Sequence, residues 1–131
     1  DIAKFASSGG HLAEEKKALL KALEDVQAMI GHMVGVAMAS QEDPKEIYKV
    51  GLNTSRLLMA TGDLIIAWLL LRQADIAQNK LANTGRDTEF YNGKIASAKF
   101  FVRSVLPHIS IERAVVESET GEIMNIAEAA F

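Results

Sequence analysis

The sequence contains no cysteine, only two prolines, and few aromatic residues, which make up 6% of the chain. Without cysteine, a disulfide framework, a cysteine nucleophile and every thiolate metal site are excluded. An excess of positive charge is also lacking, because 14 Lys and Arg stand against 17 Asp and Glu, for a net charge of −3. This balance argues against nucleic-acid binding, which needs clustered basic residues.

What the chain does have is enough length and apolar content for one domain, with 131 residues of which 49% are hydrophobic. No segment alternates like a β-strand, whereas three long segments have helical periodicity. We therefore expect an all-α fold, with a flexible lead-in over residues 1–10 and a single helical bundle domain over residues 11–131. Because the chain begins with Asp1 rather than Met, we expect it to be a processed or excised piece of a longer protein.

The first long helix is predicted from about His11 to Ser40, where apolar residues recur at steps of three and four. No charged residue lies between Asp25 and Glu42, so we expect the second half of this helix to be deeply packed. The predicted apolar stripe consists of Leu19, Leu23, Val26, Ile30, Met33 and Ala37.

The same helix contains a GxxxG motif, formed by Gly31 and Gly35. Small residues at this spacing let a second helix approach closely. We predict such a contact here, with Trp68 as the bulky side chain that could fill the gap.

The second helix has the best start signal in the chain, the segment Asp43-Pro44-Lys45-Glu46. Asp43 can accept hydrogen bonds from free N–H groups, Pro44 suits the first helical position, and Glu46 stands three residues after the cap. The helix is predicted to run to about Ala82, with Gly85 in a left-handed C-terminal turn. Its predicted inner face consists of Ile47, Val50, Thr54, Leu57, Thr61, Leu64, Trp68 and Leu71.

The third segment is predicted to begin at Asp87 as its cap and to end at Gly121. Pro107 lies inside it, where a missing N–H and a clash with the carbonyl of Arg103 predict a kink or a break. The expected architecture is an antiparallel bundle of three long helices, the third kinked or split near Pro107 to give a four-helix-like bundle. Its predicted inner face consists of Tyr91, Ile95, Ala98, Val102, Val105 and Ile109.

Residues 57–71 of the second helix contain a single charge, Asp63. A transmembrane helix needs about 20 apolar residues, and a central Asp makes insertion costlier. We therefore predict a central helix surrounded by others in a bundle. A buried carboxylate must find a cation or hydrogen-bond donors, or become protonated. We expect Asp63 to pair with Lys99 or Arg103 as buried polar residues; the alternative is an acid that binds a ligand or transfers a proton.

No motif for catalysis or metal binding is present. Di-iron bundles use Glu-x-x-His pairs, and no histidine here has Glu three positions before it. His11 with Glu15, and His108 with Glu112, are four residues apart, a spacing that we assign to solvated helix faces. There is no G-x-S-x-G motif either. From the residues alone we predict no catalytic, cofactor-binding or metal-binding residue, and a structural or interaction role.

Two stretches carry a resemblance to a known family, residues 48–74 and residues 90–107, together with the tail that ends Ile126-Ala-Glu-Ala-Ala-Phe131. They resemble the C-terminal extension domain of a bacterial subfamily of acyl-CoA dehydrogenases, the group that includes methylthiopropionyl-CoA dehydrogenases. The resemblance covers the chain from about residue 10. The motifs that carry it are Gly62-Asp63, Trp68-Leu69-Leu70, Phe90-Tyr91-x-Gly93-Lys94, Phe100-Phe101 and Leu106-Pro107.

This resemblance implies a parent enzyme that oxidises an acyl-CoA to the trans-2-enoyl-CoA, using FAD and passing electrons to an electron-transferring flavoprotein. The glutamate base and the FAD and CoA contacts of that family belong to a preceding dehydrogenase body. No catalytic or cofactor-binding residue is therefore transferred to this chain. The resemblance implies a non-catalytic domain that packs on the body of the same polypeptide or supports subunit assembly, in a cytoplasmic homo-oligomer without nucleic acid.

Two alternatives stay open at this point. The chain could be a stand-alone helical module for interaction or oligomerisation, with no enzyme attached. It could also be a membrane-facing appendage, as in very-long-chain acyl-CoA dehydrogenases. The second alternative needs a basic amphipathic surface, which the net charge of −3 does not favour.

Overall fold

The computed structural model describes residues 1–84 and 86–130, and all regular secondary structure within these residues is helical. In chain order the α-helices are α1 (Ile2–Ala6), α2 (Ala13–Ala39), α3 (Ile47–Thr84), α4 (Thr88–Ser104) and α5 (Leu106–Ser118). The predicted all-α fold is confirmed, because α2, α3 and the consecutive pair α4 and α5 pack together as a bundle. Short 3-10 helices cover Pro44–Glu46, Glu122–Asn125 and Glu128–Ala130.

The start of α3 follows the predicted capping pattern. The Asp43 side chain accepts a hydrogen bond from the backbone N–H of Lys45 at 3.0 Å, and Pro44 begins a 3-10 turn that leads directly into the helix. With 38 residues, α3 is roughly 57 Å long at 1.5 Å per residue. Gly85, predicted to occupy the turn that follows, lies outside the described residues.

The third predicted segment is two helices rather than one, and the predicted break near Pro107 is confirmed. α4 ends at Ser104, and α5 begins at Leu106, with Val105 between them at φ −108° and ψ −50°. Pro107 falls in the first turn of α5, where a helix does not need its N–H. Asp87 precedes α4 as expected, but it has a left-handed backbone, and its side chain makes no capping hydrogen bond in the described structure.

The core lies between α2, α3 and the bent α4–α5 pair, and α3 contributes mainly small side chains to it. The inner face of α3 is rotated by about one residue from the predicted one in its first half, where Asn53 and Ala60 are buried while Thr54 is exposed. The sequence of a helix that is apolar on several sides does not identify which side faces the core. The side with alanines faces the core of this bundle, because small side chains let neighbouring helices approach closely. The largest buried core residues are Leu19, Met29, Leu71, Ile109 and Val116.

The second half of α2 is more open than predicted. Ile30, Val34 and Met38 are 45%, 54% and 65% exposed, so the expected deep packing is wrong. The close helix contact at the GxxxG motif is also absent from the described structure, because a Cβ added at Gly31 or Gly35 would meet nothing within 4 Å. The lack of charge in this stretch reflects an apolar surface rather than burial.

The open position of Gly31 leads to a testable result. Substitution Gly31→Ala should raise the free energy of unfolding of this chain by about 0.5–1 kcal/mol, because alanine restricts the unfolded chain and fits an exposed helix. Urea unfolding measures this change. Gly121→Ala is the matched control and should destabilise by about 1 kcal/mol, since Gly121 has φ +72° and its added Cβ would lie 3.2 Å from Lys49 Cγ. A loss of stability in Gly31→Ala would contradict the open packing.

Candidate interaction surface

One side of α3 carries a long row of large apolar side chains that the bundle does not cover. We call Leu58, Ile65, Leu69 and Ile76 the α3 outer face; they are 70%, 41%, 44% and 58% exposed. With 3.6 residues per turn, these positions fall on one side of the helix, and the buried core alanines and leucines fall on the other. Exposed apolar surfaces of this kind mark interaction sites.

The same helix is the one segment, within the described residues, that is long and apolar enough to cross a membrane. The segment is Pro44–Asn83, with a mean hydropathy of 1.4 in its most apolar window, of which 22% is buried. The prediction that α3 is surrounded by other helices was therefore wrong. One side of α3 packs on α2, α4 and α5, and the outer face stays open. Length and composition are weak support for a membrane span, because the packed side belongs to a bundle and Asp63 interrupts the apolar run.

Asp63 is half-buried and lies beside α5 rather than beside α4. It lines a groove of about 360 Å³ between α3 and α5, together with Arg56, His108 and Glu112. An ion pair joins the opposite walls of this groove, with 2.7 Å between Arg56 Nη1 and Glu112 Oε2. The side chain of Asp63 therefore neighbours a paired cation and anion, not the bases that the sequence suggested.

The two predicted partners of Asp63 lie elsewhere. Lys99 is half-buried, whereas Arg103 is 74% exposed and its guanidinium lies 4.0 Å from Glu15. No ion pair between Asp63 and either base occurs among residues 1–84 and 86–130. The expected burial of Arg103 is thus corrected, because α4 presents this side chain to solvent along the edge that faces α2.

Neither histidine pair forms a cluster with a third ligand. His11 and His108 are both exposed, and the carboxylate of Glu112 is engaged by Arg56. Over the described part of the chain, no group of three or more His, Asp and Glu side chains is placed to hold a metal ion.

The buried, ion-paired carboxylate of this fold is Asp25, which sequence reasoning missed. Its side chain is 1% exposed and joins α2 to α5. Ser110 Oγ donates a hydrogen bond to Oδ2 at 2.6 Å, and Arg113 Nη1 donates to Oδ1 at 3.1 Å. Lys21, one turn earlier on α2, also donates to Oδ1. The spacing of Lys21 and Asp25 was the available signal, since residues four apart are neighbours on a helix.

The Asp25 cluster changes the ionisation of its members. Burial alone would raise the pKa of Asp25, but the hydrogen bonds from Lys21, Ser110 and Arg113 outweigh it, so the pKa lies below its usual value. The pKa of Arg113 is raised by its hydrogen bonds to Glu117 and Asp25. Asp25 is therefore charged at neutral pH and cannot serve as a proton donor there. The cluster ties α5 to α2 and offers no acid–base chemistry.

The described structure thus has an open apolar helix face and charged residues that pair with one another. A family model described as "Acetyl-CoA dehydrogenase C-terminal like" matches residues 1–127 of this sequence. The chain belongs to this family. The resemblance to the C-terminal domains of acyl-CoA dehydrogenases, inferred from the motifs above, is confirmed.

Individual proteins to which this chain is similar are named as acyl-CoA dehydrogenases. The broad-specificity linear acyl-CoA dehydrogenase FadE5 of Mycobacterium tuberculosis is 46% identical, over 99% of this chain and 22% of that protein. A butyryl-CoA dehydrogenase of Syntrophomonas wolfei is 38% identical, over 63% of this chain and 14% of its own length. The 3-methylmercaptopropionyl-CoA dehydrogenase of Ruegeria pomeroyi is 32% identical, over 88% of this chain and 18% of that protein. The chain therefore spans between 14% and 22% of the length of these relatives.

Proposed function

We propose that this chain is a non-catalytic helical domain of an FAD-dependent acyl-CoA dehydrogenase, and that its α3 outer face packs on the dehydrogenase body of the same polypeptide. The observation that carries the proposal is the row Leu58, Ile65, Leu69 and Ile76, which the bundle leaves in contact with water. Burying a large aliphatic side chain contributes about 1.5–3 kcal/mol. Covering this face would therefore hold the domain firmly in place.

The size of the relatives supports the dehydrogenase body as the partner. An alignment that covers 99% of this chain covers only 22% of FadE5, so most of that relative lies outside the matched region. A body of that size has enough surface to cover a helix face that is more than 25 Å long between Leu58 and Ile76 at 1.5 Å per residue. Packing on the body would also favour subunit assembly, and we place the parent enzyme in the cytoplasm as a homo-oligomer.

We assign the catalytic chemistry of the parent enzyme to the dehydrogenase body and not to this domain. The proposed reaction is the oxidation of an acyl-CoA to the trans-2-enoyl-CoA, and FAD when bound accepts the hydride. The groove between α3 and α5 does not suit a flavin, because the ion pair between Arg56 and Glu112 crosses it. The role of this domain is thus to bind and stabilise the body rather than to react.

The coding sequence upstream of Asp1 tests the proposal. We expect one continuous reading frame that encodes a dehydrogenase body with its flavin-binding residues. A reading frame that begins close to Asp1, or that encodes no dehydrogenase, would favour the stand-alone module instead. In that case a second copy of the chain would be the partner of the α3 outer face.

A further inference from the structure

We propose that Lys16 holds the first ten residues of the chain on the bundle, so that the dehydrogenase body is joined through a fixed segment rather than a free linker. We call residues 1–10 the N-terminal segment; it includes α1. The part that concerns the body rests on the proposed function, whereas the part that concerns Lys16 rests on this chain alone. Sequence reasoning assigned this segment to a flexible lead-in, yet it contains a helix, and Phe5 packs against the core.

Lys16 is a lysine of α2 with a side chain that is only 3% exposed. Its Nζ donates hydrogen bonds to Ser8 Oγ at 3.0 Å and to the carbonyl of Gly9 at 3.1 Å, and it lies 3.5 Å from the carbonyl of Ser8. The same ammonium is 4.9 Å from the ring centroid of Phe5. Most of its contacts are therefore with the N-terminal segment.

Two further groups complete this arrangement. Asp75 of α3 places Oδ1 at 3.6 Å from Lys16 Nζ, which supplies the opposite charge. Ser8 Oγ also donates a hydrogen bond to the carbonyl of Phe5 at 2.7 Å, at the end of α1, so the same hydroxyl accepts from Lys16 and donates to α1. The ammonium thus joins the N-terminal segment, α2 and α3 at one point.

Removing the N-terminal segment from the bundle would break the hydrogen bonds of Lys16 to Ser8 and Gly9, and hydrogen bonds from a charged donor are stronger than those between neutral groups. The segment in turn depends on Lys16, because a helix of five residues is not stable by itself in water. Its apolar contribution is modest, since Ile2 and Phe5 are only half-buried. Lys16 is therefore a positioning residue for the N-terminal segment, the segment through which the proposed dehydrogenase body is joined to this domain.

Hydrogen exchange of the 131-residue chain, detected by NMR, tests this assignment. The amides of Phe5, Ser7 and Ser8 donate to carbonyls within the N-terminal segment and report its opening. In Lys16→Met, a substitution that keeps the length of the side chain, these amides should exchange about tenfold faster or more. The amides of α3 between residues 60 and 71, at least one helical turn away from the Lys16 partner Asp75, should keep their wild-type rates.

Lys17→Met is the matched control, because Lys17 is the neighbouring, exposed lysine and its loss should leave all rates unchanged. Ser8→Ala removes one acceptor without touching α2 and should speed exchange of the same three amides by a smaller factor. The assignment is overturned if Lys16→Met and Ser8→Ala both leave these amides protected. It is also overturned if Lys16→Met speeds exchange equally throughout the chain, because Lys16 would then stabilise the whole fold. An upstream reading frame that encodes no dehydrogenase would contradict the proposed function. The assignment of Lys16 would still be tested by the exchange rates of this chain.

Discussion

Substitution Asp25→Asn should lower the free energy of unfolding of this chain by about 2–3 kcal/mol at pH 7. The neutral amide lacks the negative charge that pairs with Lys21 and Arg113, and it stays buried at a position that is 1% exposed. The loss falls short of the largest values for buried pairs because the two cations remain partly exposed, at 58% and 36%, and can be hydrated. Urea unfolding followed by circular dichroism measures the change.

Glu117→Gln is the matched control for this substitution. Glu117 also binds Arg113, with 2.8 Å between Oε1 and Nε, but it is 39% exposed. Exposed ion pairs contribute less than about 1 kcal/mol, so this variant should stay close to wild type. Equal losses in the two variants would show that pairing with Arg113, rather than the burial of Asp25, controls stability.

The effect of Asp25→Asn should also depend on pH. A carboxyl group whose pKa is lowered by folding stabilises the protein fully above its unfolded pKa, about 3.9 for Asp. That contribution is lost as the pH falls from there through the lower folded pKa. The difference between wild type and Asp25→Asn should therefore be constant from pH 7 to about pH 5 and shrink below about pH 4. A difference that persists unchanged at pH 3 would contradict the lowered pKa of Asp25.

Local signals in the sequence were enough to predict the long helices, but not the short helix α1. The start of α3 depends on Asp43 and Pro44, and the division between α4 and α5 depends on Pro107, which lacks an N–H. Both are backbone effects that act within a few residues, so no knowledge of the tertiary structure is needed. The family likewise followed from short motifs such as Gly62-Asp63 and Leu106-Pro107.

The packing of those helices could not be predicted in the same way. Residues 26–41 and 57–71 are almost uncharged, and such a pattern does not distinguish a buried helix from one that another protein surface covers. The pairing of Asp25 with Ser110 and Arg113 joins residues 85 and 88 positions apart. Asp63 was predicted to be the buried carboxylate because its neighbours in sequence are apolar, but several of these neighbours, such as Ile65 and Leu69, are exposed. The uncharged, apolar stretch of α3 therefore suggested burial, although its exposed side forms the candidate interaction surface.

The double substitution Leu58→Glu with Leu69→Glu should have opposite consequences in this chain and in the full-length enzyme. In the 131-residue chain both side chains already contact water, at 70% and 44% exposed, so stability should change by less than about 1 kcal/mol. Self-association through the α3 outer face should decrease, because charge replaces its apolar surface. Size-exclusion chromatography at several concentrations measures this, with wild type eluting earlier as concentration rises and the variant remaining monomeric.

In the full-length enzyme the same two glutamates would be buried against the dehydrogenase body without partners, at a cost of several kcal/mol. The domain should then detach, which thermal unfolding detects as a separate transition at lower temperature and limited proteolysis detects as faster cleavage before this domain. Ile111→Glu is the matched control, since Ile111 is an apolar residue that is 59% exposed but belongs to α5 rather than to the α3 outer face. A double variant of the full-length enzyme with wild-type unfolding and proteolysis would show that the body does not cover the α3 outer face. A wild-type chain that stays strictly monomeric at high concentration would count against self-association, but not against the body as the partner.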